Sequence, residues 1–396
     1  MYLTRLRLEQ FRSYEHLDLE IPEQGLTIFG RNGSGKTSVL EALVLLSTTR
    51  SPRTTNDREL VRWQSGEDYG VLPYTRIEAE LLSRGRQERI GISLELDAER
   101  QVNQRKGYQL NGDTVRALDL VGVLKAVLFT PEDVLLVTGP PMERRRQIDM
   151  FISQFDRGYL QALAQFTRVL AQRNQLLKQF SRDRRSHRDP GSVTEMSFWD
   201  DQFIEFGSLV VSTRYQVIAD LSEEMIARSA SLIDGARVGL VYQPRISWEP
   251  AGAYASPGEV REVVASYLAK DLENQRRDEY RRGMTLSGPQ RDDIAFLIDG
   301  HGLGAYGSRG QQRLGVVAFR LAQIAMLESR TGDRPVLLLD DVFSELDTLH
   351  RDMLIDAVTS FACQVFLTSA EPEVLDHPGL ARIPRAEVKA GTIHVG

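Results

Sequence analysis

The 396-residue sequence is poor in residues that crosslink a chain or hold a metal unaided. Its single cysteine, Cys363, excludes an intrachain disulfide and points to a reducing, cytoplasmic setting. Six scattered histidines and that one cysteine leave no ligand cluster for structural zinc. No apolar run approaches the roughly 18 residues that a bilayer span requires, so no membrane partner is expected. The opening segment MYLTRLRLEQ alternates apolar and charged residues, which reads as a strand and not as a signal peptide. A net charge of −6 rules out a uniformly basic surface, yet local patches can still bind nucleic acid. With 41% hydrophobic and 26% charged residues, the chain has an ordinary globular composition and enough length for two or three domains.

What is present starts at Gly30–Thr37, GRNGSGKT, which fits the phosphate-binding pattern G-x-x-x-x-G-K-[ST] at every fixed position. Residues 25–29 before it read as a short buried strand, and 38–47 after it as a helix with an apolar face. Glycines at 30, 33 and 35 permit the turns that aim successive N–H groups inward at phosphate. Gly30, Arg31, Asn32, Gly33, Ser34 and Gly35 are thus the expected cradle. Lys36 is placed for the β- and γ-phosphates, and Thr37 for Mg²⁺.

Far along the chain, 336–341 (VLLLDD) reads as a buried strand ending in two carboxylates. Asp340 is expected to hold Mg²⁺ beside Thr37. Asp341 is expected to orient or deprotonate the attacking water. Some 300 residues separate this strand from the loop. Both must reach one nucleotide, so the two ends of the chain are expected to fold into one head.

Elsewhere, 3–9, 16–21 and 76–128 show period-two strand signals, with an Asn111-Gly112 hairpin turn. They predict an antiparallel sheet stacked on the nucleotide core. Residues 50–76 read as a polar surface connection or, as the lesser alternative, a loop reaching toward nucleotide or DNA. Arg12 reads equally as a nucleotide neighbour or a solvated turn residue. From 143 to 180 the pattern is helical, as one long helix or two broken near Gly158; 195–233 and 257–282 are helical too, with a strand at 238–243. The expected domains are therefore a head part at 1–140, an α-helical insertion at 141–282 acting as a lever, and a second head part at 283–396. Arginine clusters at 144–146, 182–188 and 276–282 read either as solvated faces or as a phosphate-backbone footprint.

The phosphate loop, SRGQQ at 308–312 and VLLLDDVFSELD at 336–347 together resemble ABC-type ATPases of the SMC/Rad50 class. More narrowly, PEDVLLVTGPPMERRRQID at 131–149 and GPQRDD at 288–293 resemble the bacterial RecF family over essentially the whole chain. Gln147 and Gln290 depart from the aromatic and the histidine expected there. The resemblance implies an α/β fold: an ABC-type ATPase head, with a mixed sheet and an antiparallel subdomain, carrying an inserted helical arm. It implies two heads sandwiching two ATP molecules. Lys36 and Thr37 would act in cis; Ser308 and Gly310, with Gln311 beside them, would meet the γ-phosphate in trans. Asp347 would help form that interface, and Thr368 or Ser369 would sense the γ-phosphate. Implied partners are gapped DNA or single-strand/double-strand junctions, the mediators RecO and RecR, and RecA indirectly. Asp341 stands where transporters carry glutamate, one methylene longer, so slow hydrolysis and a long-lived ATP-dependent homodimer are expected. The alternatives are the ATPase subunit of a membrane transporter and, behind it, a small-molecule kinase. Nucleotide specificity for guanine has no N-K-x-D stretch to support it.

Overall fold

A computed structural model describes residues 1–66, 70, 72–96, 104–233, 235–248, 256–345, 348–371, 375–389 and 391–395. The chain divides into two compact units, Met1–Val134 with Val316–Gly396, and Leu135–Gly315. The second unit thus runs past the boundary expected at residue 282. The reason lies in pairing: strand Asp293–Ile298 is antiparallel to Val238–Gln243, with Ile294 opposite Tyr242 and Phe296 opposite Leu240. Arg144 adds a forked grip on Asp293, at 2.7 and 2.9 Å.

The first unit holds two six-stranded sheets. One is antiparallel, in the order Tyr14–Glu20, Tyr2–Phe11, Tyr74–Ser83, Arg86–Leu96, Gln104–Leu110 and Asp113–Thr114. Its strands alternate as period two requires: Leu17 and Leu19 are buried while His16, Asp18 and Glu20 are exposed. The second sheet runs Thr392–Val395, Arg385–Lys389, Gly25–Phe29, Val365–Ser369, Val336–Asp340 and Ala126–Phe129. All its neighbouring pairs are parallel except the terminal hairpin. Its central strands are buried along nearly their whole length, which is why they read as unbroken apolar runs.

Helix Lys36–Thr48 touches strands of both sheets. Twelve of its thirteen residues are buried, so both of its sides face protein. Leu40, Leu43, Leu45 and Leu46 are each at most 1% exposed, and each contributes about 1.5–3 kcal/mol by leaving water. The helix that positions the phosphate loop is therefore fixed by packing along its length. Gln364 joins the sheets: its side chain accepts from Leu3 N at 2.7 Å and donates to the carbonyls of Leu3 and Pro22, each at 2.8 Å.

The second unit is built on helices Pro141–Ser153, Arg157–Arg182, Pro190–Leu232 and Pro257–Arg282, with a three-stranded sheet. The break in 143–180 falls at 154–156, because Asp156 caps the second helix, accepting from Tyr159 N at 2.8 Å. Asp189 likewise caps the third helix with Pro190 at its first position, starting it ahead of residue 195. Buried ion groups tie the helices together. Arg173, 2% exposed, donates to Asp200 at 2.9 Å, Glu279 at 2.6 Å and Thr285 at 2.8 Å. Arg214 grips Asp149 at 2.9 Å through two bonds. Among the described residues, no helix is long and apolar enough to cross a membrane.

Candidate nucleotide-binding site

Sheet register assembles the site. Asp340 pairs in parallel with Thr368, and Ser369 with Phe29. Three adjacent strands therefore end level with one another, and Gly30–Gly35 leaves the sheet beside Asp340. Gly30, Gly33 and Gly35 take φ of 152, 80 and 112°, in the region that side chains resist. Gly35 is also confined in space: a Cβ there would lie 2.7 Å from Ser13 Oγ and 3.0 Å from the Tyr14 hydroxyl. Lys36 folds back over its loop and donates to the carbonyls of Gly30 at 2.7 Å and Arg31 at 3.2 Å. Burial lowers its pKa, against the opposing pull of Asp341 and Asp340. Ser34 Oγ is shut off from solvent with no hydrogen-bond partner. A loop whose ammonium rests on its own carbonyls, beside an unsatisfied buried hydroxyl, fits a phosphate.

The metal-binding expectation has matching geometry. Thr37 Oγ1 donates to Asp340 Oδ1 at 2.9 Å, across 303 residues of sequence. Thr368 Oγ1 donates to the same oxygen at 2.7 Å. No hydrogen bond from the described residues falls on Oδ2. Burial raises the Asp340 carboxyl above the usual range, partly offset by the Thr368 and Thr37 hydroxyls. A half-buried carboxylate with one bare oxygen, beside a hydroxyl, is the hard-oxygen donor set that suits Mg²⁺. Asp341 lies just past the strand with φ of 49°, held by Thr368, whose carbonyl and hydroxyl accept from its N–H at 3.1 and 3.2 Å. Ser369 turns away, its hydroxyl bonded to the Glu371 backbone at 3.0 Å. Of the two switch candidates, Thr368 is therefore the one on the site.

Lys36, Thr37, Asp340, Asp341 and Thr368 line one cleft of about 940 Å³. Its outer wall comes from the segment read first as a surface connection and second as a loop reaching toward nucleotide: Arg53, Asn56, Arg58, Glu59, Val61, Arg62 and Trp63 all face it. That wall hangs on Glu41 of the loop helix, whose side chain is fully buried. Glu41 accepts two bonds from Arg12, at 2.9 and 2.7 Å, and one from Ser51 at 2.6 Å; Arg53 lies 3.8 Å away. Arg12 is thus a clasp as well as a cleft residue, neither a solvated turn arginine nor simply a ligand contact. The available signal was Glu41 itself, a carboxylate in the middle of an apolar helix, which burial without a cation would make very costly.

A family model described as the RecF/RecN/SMC N terminal domain matches residues 2–382. The DNA replication and repair protein RecF of Thermomicrobium roseum is 40% identical over 402 residues, covering 100% of both chains. The protein of that name from Bacillus mycoides is 33% identical, over 99% of this chain and 98% of its own. The chain belongs to the RecF family. Among solved structures, one described as the recombination mediator protein RecF-ATP in the RecFOR pathway aligns with a TM-score of 0.82 at 25% identity, covering 100% of this chain and 99% of that one. An SMC head domain from Pyrococcus furiosus aligns at 0.54 with 16% identity, a likeness of fold.

The signature segment of this RecF-family chain lies in the second unit. Ser308, Arg309 and Gly310 are exposed at the start of helix Arg309–Thr331. Ser308 Oγ accepts from Gln311 N at 3.2 Å while the Gln311 side chain accepts from Ser308 N at 2.9 Å, a reciprocal capping box. The cap uses the serine oxygen as acceptor and leaves its proton available to donate. Asp347 lies outside the described residues. The arginine clusters separate by environment. Arg144 and Arg145 are committed inside the unit, to Asp293 and to the Asp292 carbonyl, and Arg185 to Glu195. Arg182, Arg184, Arg188, Arg277 and Arg282 are exposed. The Gly283 backbone abuts Lys178 and Ser181, which brings the segments carrying these last two clusters side by side. Of the family departures, Gln290 donates to the Ser287 carbonyl at 2.7 Å and leaves its own oxygen buried without a partner.

Proposed function

We propose that the chain is a DNA-binding ATPase of recombinational gap repair, whose ATP-bound form is a two-fold homodimer closed on DNA. The observation that carries this reading is the Thr37–Asp340 contact, which brings the phosphate loop and the acidic strand of this RecF-family chain together and so supports their sharing one nucleotide. Gly30–Gly35 and Lys36 hold the phosphates, and Thr37 with Asp340 holds Mg²⁺, which neutralises charge on the phosphates. Asp341 orients or deprotonates the attacking water. Ser308, Gly310 and Gln311 of one copy meet the γ-phosphate held by the other. The capped helix start suits that role, since its free N–H groups and dipole favour an anion.

Two acidic subunits repel at long range, so their contact depends on charge bridged by nucleotide. Hydrolysis removes the bridge and releases the clamp. Slow turnover follows from the short Asp341 carboxylate. The exposed arginines at 182, 184, 188, 277 and 282 give duplex phosphates a basic surface. RecO, RecR and, through them, RecA are the proposed protein partners, in the cytoplasm. The transporter alternative has no observation in its favour, because the family match spans residues 2–382.

The test combines light scattering with DNA binding to gapped, single-stranded and duplex substrates, with and without ATP and Mg²⁺, at several salt concentrations. Wild type should dimerise and bind gapped DNA only with ATP and Mg²⁺. Lys36→Ala should lose nucleotide and DNA together. Ser308→Ala should keep nucleotide binding by the monomer yet fail to dimerise. Equal loss of nucleotide in both variants would sink the trans arrangement.

A further inference from the structure

The phosphate end of the cleft has its anchors, but a nucleoside triphosphate also carries a flat aromatic base. The far wall contains one feature suited to it. Trp63 lines the same cleft as Lys36 and Asp340 and is 96% exposed. Trp248, by contrast, is 3% exposed. An indole left in water forgoes the burial that normally justifies the residue. Among the described residues lining the cleft, it is the sole aromatic ring.

The exposure is not that of a loose loop. Arg62 N donates to the Gln10 carbonyl at 2.8 Å, and Ser65 N to the Arg62 carbonyl at 3.0 Å. Val61 bridges Phe11, and Arg62 pairs with Glu15 at 3.5 Å. Ser65 exchanges two hydrogen bonds with the Tyr74 backbone, at 2.7 and 3.0 Å. The backbone on both sides of Trp63 is thus pinned to the antiparallel sheet, while the ring is offered to the cleft. A rigid mount with an exposed ring is the arrangement of a stacking platform. The cleft, at about 940 Å³, lies at the upper end of the range for ligand pockets and has room beyond the phosphates.

We propose that Trp63 is the base platform of this site, its indole face stacking on the base of the bound nucleoside triphosphate. This rests on the reading of the cleft as a nucleotide site and adds to it the group that distinguishes a nucleotide from a bare polyphosphate. Stacking tolerates any base and favours the larger purine face.

The experiment measures calorimetric binding of ATP and of inorganic tripolyphosphate to the full chain as wild type, Trp63→Ala and Trp63→Phe. Removal of one stacked base contact is expected to weaken ATP roughly 5- to 100-fold in Trp63→Ala. Tripolyphosphate should bind wild type and Trp63→Ala alike, and Trp63→Phe should retain most of the ATP affinity. ATP should quench the indole emission of wild type but not of Trp63→Phe, in which Trp199 and Trp248 remain. Unchanged ATP affinity in Trp63→Ala overturns the proposal, and so does an equal loss of ATP and tripolyphosphate. A wild type that binds neither probe would overturn the nucleotide reading itself, and the platform with it.

Discussion

Removing the Arg12–Glu41 clasp tests whether the cleft wall depends on a buried charge pair. The Glu41 side chain is fully buried and that of Arg12 is 20% exposed, with two bonds at 2.9 and 2.7 Å between them. Glu41→Ala leaves the Arg12 guanidinium with the Glu59 carbonyl, at 2.7 Å, as its remaining hydrogen bond. Arg12→Ala leaves a buried carboxylate with Ser51 and with Arg53 at 3.8 Å. Breaking one side of a buried pair costs about 3–5 kcal/mol, because the other charge stays desolvated. In a unit of this size that corresponds to a fall in Tm of roughly 6–20 °C for each single variant. The double variant removes both charges, so its loss should fall short of the sum by about 2–4 kcal/mol. Scanning calorimetry of the four proteins measures the coupling, with the first unit's transition identified by its shift on adding ATP and Mg²⁺. A coupling below about 1 kcal/mol, the value of an exposed pair, would refute the argument.

Two further substitutions probe the site directly. Burial holds the Asp340 carboxyl above its unfolded value, so the fold binds that proton more tightly than the unfolded chain does. The contribution is stabilising at low pH and is lost as pH rises through the folded value. Asp340→Asn, which can still accept from Thr37 and Thr368, should therefore raise the Tm of the nucleotide-free protein by a few degrees at neutral pH while abolishing Mg²⁺-dependent hydrolysis; a lowered Tm contradicts this. Gly35→Ala places a Cβ 2.7 Å from Ser13 Oγ at φ of 112°, a strain of about 1–3 kcal/mol. Its ATP affinity, by equilibrium dialysis, should fall at least tenfold, and near-wild-type affinity would remove the steric argument.

The parts legible in the sequence are those whose chemistry is local. The phosphate loop has fixed residue types at fixed spacing, and Val336–Asp340 is an unbroken apolar run closed by carboxylates. The meeting of Thr37 with Asp340 was legible only through chemistry, since one metal must touch both. Period-two alternation gave the antiparallel sheet because one of its faces is buried. Where no period exists, the reading thinned. The segment 50–76 reads more readily as a polar connection than as a loop toward nucleotide, yet side chains between Arg53 and Trp63 wall the cleft. The expected boundary at 282 followed the end of a helix, but strand Asp293–Ile298 takes its partner from 238–243. The cluster at 144–146 could not be told from a solvated face, because its acceptor Asp293 lies 149 residues away. Thr368 and Ser369 differ only in which side of the sheet end each hydroxyl meets.

Several groups of the cleft carry an energetic cost of their own. Asp341 sits at φ of 49°, where a residue other than glycine pays strain. Lys36 and Asp340 are both shifted toward their uncharged forms by burial, and Ser34 Oγ is orphaned. Each feature opposes folding, and the last three would be relieved by a phosphate with its metal: the ammonium would gain an anion, the carboxylate a cation, the hydroxyl an acceptor. Ligand binding should therefore stabilise the first unit by more than contact area suggests, because it also removes penalties already present. The same logic is in keeping with the proposed switch. On the function proposed above, such a site would hold intact triphosphate tightly before hydrolysis, and that bound state is the one a second copy would cap with Ser308.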